Sequence, residues 1–133
     1  MLERLREFFR HLGTQDFTQD HNEAIIDLLV WMMRADGELE IEENDKINEF
    51  LASVEWTAEH TPRGRIADAV AAVKEIEDGK RSGDAWLKEI AAKLHGDEIR
   101  YKAIKVCQEL ALADGYLDKA ETSLLKRYQE ALL

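Results

Sequence analysis

Apolar residues recur along the chain at the three- and four-residue spacing of amphipathic helices, and no segment alternates with the two-residue period of a strand. The first run begins at Leu2 and stops at Gly13. The run over residues 24–33 is apolar around most of its circumference, which predicts a helix at the centre of the core. The pattern therefore predicts an all-α, bundle-like domain of about seven helices with short connections.

Capping residues predict where several helices begin. Thr61 and Pro62 have the order of an N-cap and first helical residue, and Ser82 or Asp84 begins the next helix. Asp20 is expected to cap the central helix, with Glu23 three residues later as in a capping box. In the same way Asp97 is expected to cap the helix that follows Gly96, and another amphipathic helix is expected from about Glu42 to Val54.

One unit of the pattern occurs twice, 78 positions apart, as an apolar helix, an acidic turn and an amphipathic helix. The matched core positions are Ile26 and Ile104, Leu29 and Cys107, Met32 and Leu110, Ile47 and Leu125, Phe50 and Tyr128, and Val54 and Leu132. The repeat predicts two helical hairpins packed about a pseudo-two-fold axis. The helices of residues 62–95 are inserted between the hairpins in sequence.

Three acids occupy matching positions in each of the two turns. They are Asp36, Glu40 and Glu43 in the first turn, and Asp114, Asp118 and Glu121 in the second. A purely structural interpretation explains most of them, since Asp118 and Glu121 have the spacing of a capping box and Gly37 and Gly115 suit a left-handed helix end. It does not explain the Asp before each Gly, because a carboxylate there faces the negative end of the helix dipole.

The alternative interpretation is a metal site in which each turn collects its three carboxylates. Hard cations bind several oxygens at about 2.0–2.6 Å, and such a cluster repels itself without one. Ca²⁺ or Mg²⁺ is the expected ion, because no thiolate or imidazole lies nearby. The pattern is not an EF-hand, since the 12-residue ligand spacing is missing. The sequence leaves both interpretations open and predicts no other cofactor.

Composition and charge narrow the class of protein. With 133 residues, 45% of them hydrophobic, one Pro and seven Gly, residues 1–133 are expected to form a single domain. The net charge of −10 is unfavourable for nucleic-acid binding and suits divalent cations or a basic protein partner. The positive exception is residues 1–13, which carry Arg4, Arg6 and Arg10 against Glu3 and Glu7.

Residues 1–13 are expected to form an amphipathic N-terminal helix, which is an addition to the rest of the domain. Two placements are open. The helix either packs against its own domain, or it meets an outside surface, namely the inner face of a membrane or a partner protein. Deleting residues 1–13 separates the two, because a large loss of stability indicates self-packing.

The cysteine, the histidines and the absence of known catalytic motifs argue against several classes of function. A single cysteine, no leader peptide and no membrane-spanning run favour a reducing cytoplasm. No phosphate-binding loop, nucleophile elbow or metal-binding histidine motif is present, so we expect no enzyme activity. Trp31, Trp56 and Trp86 are expected to be core or edge residues, and Trp56, in a polar stretch, is the one that suits an interface. Cys107 is expected to be buried, and the histidines to be surface or capping residues. The histidines are His11, His21, His60 and His95.

The doubled segments "ADGELEIEE" and "ADGYLDKAE", each between an apolar and an amphipathic helix, resemble the TerB-like family associated with tellurite resistance. The resemblance covers about residues 22–133 and implies an all-helical, bacterial cytoplasmic protein. It further implies a non-enzymatic binding or scaffold role in stress response, near the inner membrane face and with metal involved. Two alternatives stay open: a protein-interaction module with purely structural turns, and a metal-dependent enzyme that uses the same carboxylates.

Overall fold

The computed structural model describes residues 2–35, 37, 45–113, 115 and 117–133. These residues form seven α-helices and one 3₁₀ helix, and no strand occurs among them. The α-helices are α1 (Leu2–Leu12), α2 (Gln19–Ala35), α3 (Asp45–Ser53), α4 (Pro62–Glu77), α5 (Gly83–Lys93), α6 (Asp97–Leu112) and α7 (Lys119–Leu132), and the 3₁₀ helix is Thr14–Asp16. The all-α prediction is confirmed, and the predicted start of α3 near Glu42 lies outside the described residues.

Helix α2 lies at the centre of the domain. Every side chain from Ala24 to Met33 is buried, including the charged Asp27. The helix packs against α4, α5, α6 and α7, so that neighbours surround it on most sides. This arrangement confirms the prediction drawn from its all-round apolar character.

Two of the predicted helix starts are confirmed. The Thr61 hydroxyl accepts a hydrogen bond from the Gly64 N–H at 3.0 Å, and Pro62 is the first residue of α4. The Ser82 hydroxyl accepts from the Ala85 N–H at 3.1 Å and caps α5. Side-chain caps of this kind satisfy N–H groups that have no partner within the helix.

The predicted capping box of Asp20 and Glu23 is wrong. The start of α2 is instead held by Thr18, whose hydroxyl accepts from the His21 N–H at 3.2 Å, while His21 Nδ1 accepts from the Thr18 N–H at 3.2 Å. The imidazole takes the part that Glu has in the usual capping box. The prediction for α6 is wrong by one residue, because Gly96 is the N-cap and Asp97 the first helical residue.

Helix α1 packs on its own domain, against α3 and α6. Leu5 and Phe9 are buried, and the Phe9 ring meets the Phe50 ring edge-on with centroids 5.8 Å apart. The apolar side of α1 is therefore covered by the domain, as the self-packing interpretation predicts.

The repeat of the sequence has a counterpart in the positions of the helices. Residues 97–112 of α6 correspond at the 78-residue offset to residues 19–34 of α2, and α3 corresponds to residues within α7. The matched core positions are buried in both copies except Val54, which is half-buried. The two-fold axis itself stays a prediction. Within the described ranges, none of the helices has the length and apolar character needed to cross a lipid bilayer.

Candidate functional site

The second acidic turn places two predicted ligands side by side at the start of α7. Asp118 is the N-cap, and its Oδ1 accepts from the Glu121 N–H at 2.7 Å. In return, Glu121 Oε1 accepts from the Asp118 N–H at 3.2 Å. The Glu121 residue is only 4% exposed, so this carboxylate is held inside the turn. The predicted capping box is confirmed at these two residues.

Both glycines of the acidic turns adopt the left-handed conformation that the sequence predicts. Gly37 has φ of 85° and Gly115 has φ of 97°. Their N–H groups donate to the carbonyls of Arg34 at 3.0 Å and Leu112 at 2.8 Å, which closes the preceding helices. Among the described residues, no atom beyond the chain neighbours lies within 4 Å of the place where a Cβ would stand. The left-handed backbone conformation is the reason that both positions favour glycine.

The other four predicted ligands, Asp36, Glu40, Glu43 and Asp114, lie outside the described residues. Of the six acids, the structure thus brings together Asp118 and Glu121. In the part of the chain that is described, no group of three or more His, Cys, Asp or Glu side chains is arranged to hold a metal ion. The divalent-cation site at the acidic turns stays a prediction.

A buried ion pair joins α2 to α4, and the sequence analysis did not find it. Asp27 is 2% exposed, and Arg65 binds both of its carboxylate oxygens. Arg65 Nε donates to Oδ1 at 3.2 Å, and Nη2 donates to Oδ2. Burial raises the pKa of Asp27 to about 6, although the charge and hydrogen bonds of Arg65 act in the opposite direction.

Glu23 extends this ion pair toward the surface. It lies one helical turn before Asp27, and its Oε1 is 3.4 Å from Arg65 Nη1 and 3.9 Å from Lys93 Nζ of α5. Its Oε2 accepts from Gln19 Nε2 at 3.0 Å. The cluster therefore connects α2, α4 and α5, which explains why Glu23 is not available to cap α2.

A cavity of about 510 Å³ opens beside this cluster, and residues of α2, α4 and α5 line it. Its charged lining residues are Asp20, Asp27, Arg65, Glu89 and Lys93. The opposite charges largely pair with one another, since Arg65 is occupied by Asp27 and Glu23. The arrangement fastens α4 and α5 to the central helix. The sequence contained one signal of it, because Asp27 is the lone charge in the apolar run 24–33 and needs a partner.

The predictions about the burial of Cys107 and the placement of the histidines are confirmed. Cys107 is buried, and burial raises the pKa of its thiol, so it does not form a reactive thiolate. His11, His60 and His95 are exposed, and His21 is half-buried in its capping role. Trp56 is half-buried at the edge of the core and donates from Nε1 to the His60 carbonyl at 2.9 Å, and its place at an interface stays a prediction.

Comparison with known proteins identifies the family. No curated protein and no solved structure matches the chain. A family model described as tellurite resistance protein TerB matches residues 22–133. The match includes both acidic turns, most of α2 and all of α3 to α7, whereas α1 precedes it. Because the matched region covers most of the chain, this protein belongs to the TerB family of tellurite resistance proteins.

Proposed function

We propose that this protein acts in bacterial tellurite resistance or a related stress response as a non-enzymatic binding or scaffold protein of the cytoplasm, and that its two acidic turns bind a divalent cation. Family membership supports the first part. The cation is supported by the repeated carboxylates and by the geometry of the second turn, where Asp118 and Glu121 lie next to each other at a helix N-terminus. Asp36 and Asp114 then serve as ligands, which explains their unfavourable place at a helix end.

Purely structural turns are the second candidate, and the capping box favours them. Asp118 Oδ1 and Glu121 Oε1 already accept backbone hydrogen bonds, and a cap of this kind needs no metal. In that case the acidic surface meets a basic protein partner, with an affinity that weakens in salt. A metal-dependent enzyme is the weaker alternative. Among the described residues, the carboxylate whose pKa is raised is Asp27, which forms an ion pair with Arg65 and does not belong to the acidic turns.

Thermal unfolding with and without cations tests the proposal. Millimolar Ca²⁺ or Mg²⁺ should raise the melting temperature of the EDTA-treated protein, because a ligand that binds only the folded state stabilises it by about 2.7 kcal/mol at a hundred times its Kd. The double variant Asp36→Asn with Asp114→Asn should abolish the rise.

A matched control removes two other negative charges. Asp20 and Asp97 are exposed acids in the first turns of α2 and α6, and their double change to Asn should leave the cation-dependent rise intact. If both double variants lose the rise equally, the effect is general charge screening. If the unmodified protein shows no rise and no heat of binding by titration calorimetry, the turns are structural.

A further inference from the structure

Helix α1 is set apart from the rest of the domain in sequence, and the connection that follows it is anchored on α3 by the buried Thr14, whose hydroxyl donates to Ser53. The helix lies before the region that matches the family, and it joins α2 through Gly13, with φ of 81°, and a single 3₁₀ turn. The residues that follow it, from α2 onward, contain the central helix and the repeated units.

The surface under α1 is formed by α3 and α6 and receives two apolar side chains. Leu5 and Phe9, one helical turn apart, are 2% and 0% exposed. Phe9 meets the fully buried Phe50 of α3 edge-on at 5.8 Å, an arrangement that favours aromatic pairs. Phe8 and Leu12 are partly buried at the margins. Two anchors spaced by four residues are the usual pattern of a helix held in a groove.

Charged residues on both sides of the groove complement α1. Arg6 donates from Nε and Nη2 to the two carboxylate oxygens of Glu49 on α3, at 2.9 and 3.0 Å. On the other side, Arg4 Nη2 lies 3.8 Å from Glu109 of α6. The net charge of residues 1–13 is +1, from three Arg and two Glu, in a chain whose total is −10. The groove therefore selects a helix that is basic as well as amphipathic.

The contacts that hold α1 are of a kind that a competitor can replace. The Arg6 and Arg4 side chains are 65% and 84% exposed, and exposed ion pairs contribute at most about 1 kcal/mol each. Burial of Leu5 and Phe9 adds an apolar contribution to these ion pairs. A short connection presents such a segment to its own groove at an effective concentration of the order of millimolar, so a partner helix competes by binding more tightly.

We propose that the α3–α6 surface is a groove that binds a basic amphipathic helix of a partner protein, and that α1 occupies this groove within the same chain until the partner replaces it. The partner helix carries two large apolar side chains four residues apart and an arginine positioned like Arg6 to meet Glu49. This surface is separate from the acidic turns and does not depend on cation binding.

A peptide with the sequence of residues 1–13, labelled with a fluorophore, serves as the probe. The full chain with Leu5→Ala and Phe9→Ala weakens its own α1 and should bind the peptide at least about tenfold more tightly than the unmodified chain, measured by anisotropy. Adding Glu49→Arg to this variant should remove the binding. A peptide with Arg6→Glu should restore it, because the charges are then exchanged across the same contact.

Hydrogen exchange on the unmodified chain gives a second test that needs no variant. The amides of α1 should exchange faster than those of α2, through an opening that leaves α2 protected. The proposal is overturned if α1 and α2 exchange together, or if the Leu5 and Phe9 variant loses its helical circular dichroism, because α1 is then an integral part of the core. It is equally overturned if the variant stays folded but binds no peptide, or binds it regardless of the charge at position 49.

Discussion

Asp118 is the residue at which the structural and metal interpretations of the acidic turns make different demands. As an N-cap it needs one side-chain oxygen to accept the Glu121 N–H. Asparagine provides such an oxygen and caps about as well as aspartate, whereas alanine does not. As a cation ligand, the same residue needs its negative charge as well. Two substitutions at one position therefore separate the two roles.

Asp118→Ala should lower the free energy of unfolding by about 0.5–2 kcal/mol, while Asp118→Asn should change it little, as measured by urea denaturation in EDTA. If the turn binds a cation, Asp118→Asn should in addition lose the stabilisation that Ca²⁺ or Mg²⁺ produces. An Asn variant that is as unstable as the Ala variant in EDTA would show that the charge itself, and not the cap, supports the turn.

The Asp27 carboxylate makes a prediction about pH. Its pKa in the folded protein is about 6, against an ordinary value of 3.8, and burial is the main cause. Between these values the folded state keeps a proton that the unfolded state has lost. This group therefore contributes stability at low pH that is lost as the pH rises from about 4 to about 6.

The stability of the unmodified protein relative to Asp27→Asn should accordingly fall over this range and level off above it. Denaturation curves at pH 4, 5, 6 and 7 measure the difference, in which the contributions of the other carboxylates cancel. Asp20→Asn removes one charge from an exposed position of the same helix and should show no such fall. A difference that rises with pH would mean that attraction to Arg65 outweighs the cost of burial.

At the scale of helices, α5 and α7 meet α2 around Trp31. The Trp31 ring lies 5.4 Å from that of Trp86 and 6.0 Å from that of Tyr128, by centroids. The Arg127 guanidinium lies 5.0 Å from the Trp31 ring centre and pairs with Asp84 at 2.9 Å. These contacts bring the first turn of α5 close to both α2 and α7.

Gly83 is the residue that allows this close approach. A Cβ at this position would lie 2.6 Å from Arg127 Nη2 and 3.1 Å from Trp31 Cη2. Gly64, in the first turn of α4, provides a matched comparison, because its Cβ would lie 3.4 Å from Thr61 Oγ1, in ordinary contact. Both glycines are helical and neither has a positive φ.

Gly64→Ala should leave stability unchanged or raise it by up to about 1 kcal/mol, since alanine favours helix. Gly83→Ala should be about 1–3 kcal/mol less stable than Gly64→Ala, because overpacking displaces Arg127 and strains the contact with Trp31. Thermal and urea unfolding of the two variants measure the difference. Equal stabilities would show that Arg127 moves aside without cost.

At the scale of the whole molecule, the central helix decides the architecture. The repeated sequence unit falls on α2 and α3 and again on α6 and α7, yet α2 is surrounded more completely than α6. Helix α6 leaves Tyr101 51% and Leu112 41% exposed, whereas α2 exposes no large apolar side chain within its buried run. The two copies of one pattern therefore occupy different places in the fold, because α4 and α5 both pack on α2, whereas α5 packs on α7 as well.

The sequence by itself determined the class of fold, the central helix, the left-handed glycines and the Asp118 cap. These follow from interactions within a few residues: the periodicity of apolar side chains, the positive φ that glycine adopts freely, and hydrogen bonds at a helix start. The predicted capping box of Asp20 and Glu23 is wrong because of contacts between residues that are distant in sequence. Glu23 has the spacing of a cap, but Arg65 and Lys93 bind it from two other helices.

Only the tertiary structure decided which distant residues meet. The partner of Asp27 is 38 positions away, that of Arg6 is 43 away, and the place of α1 depends on α3 and α6. No local pattern encodes such pairs, because packing of the whole chain selects among many acids and bases of similar propensity. The ion pair on the central helix and the groove under α1 are therefore properties of the folded molecule, whereas the acidic turns are visible in the chain itself.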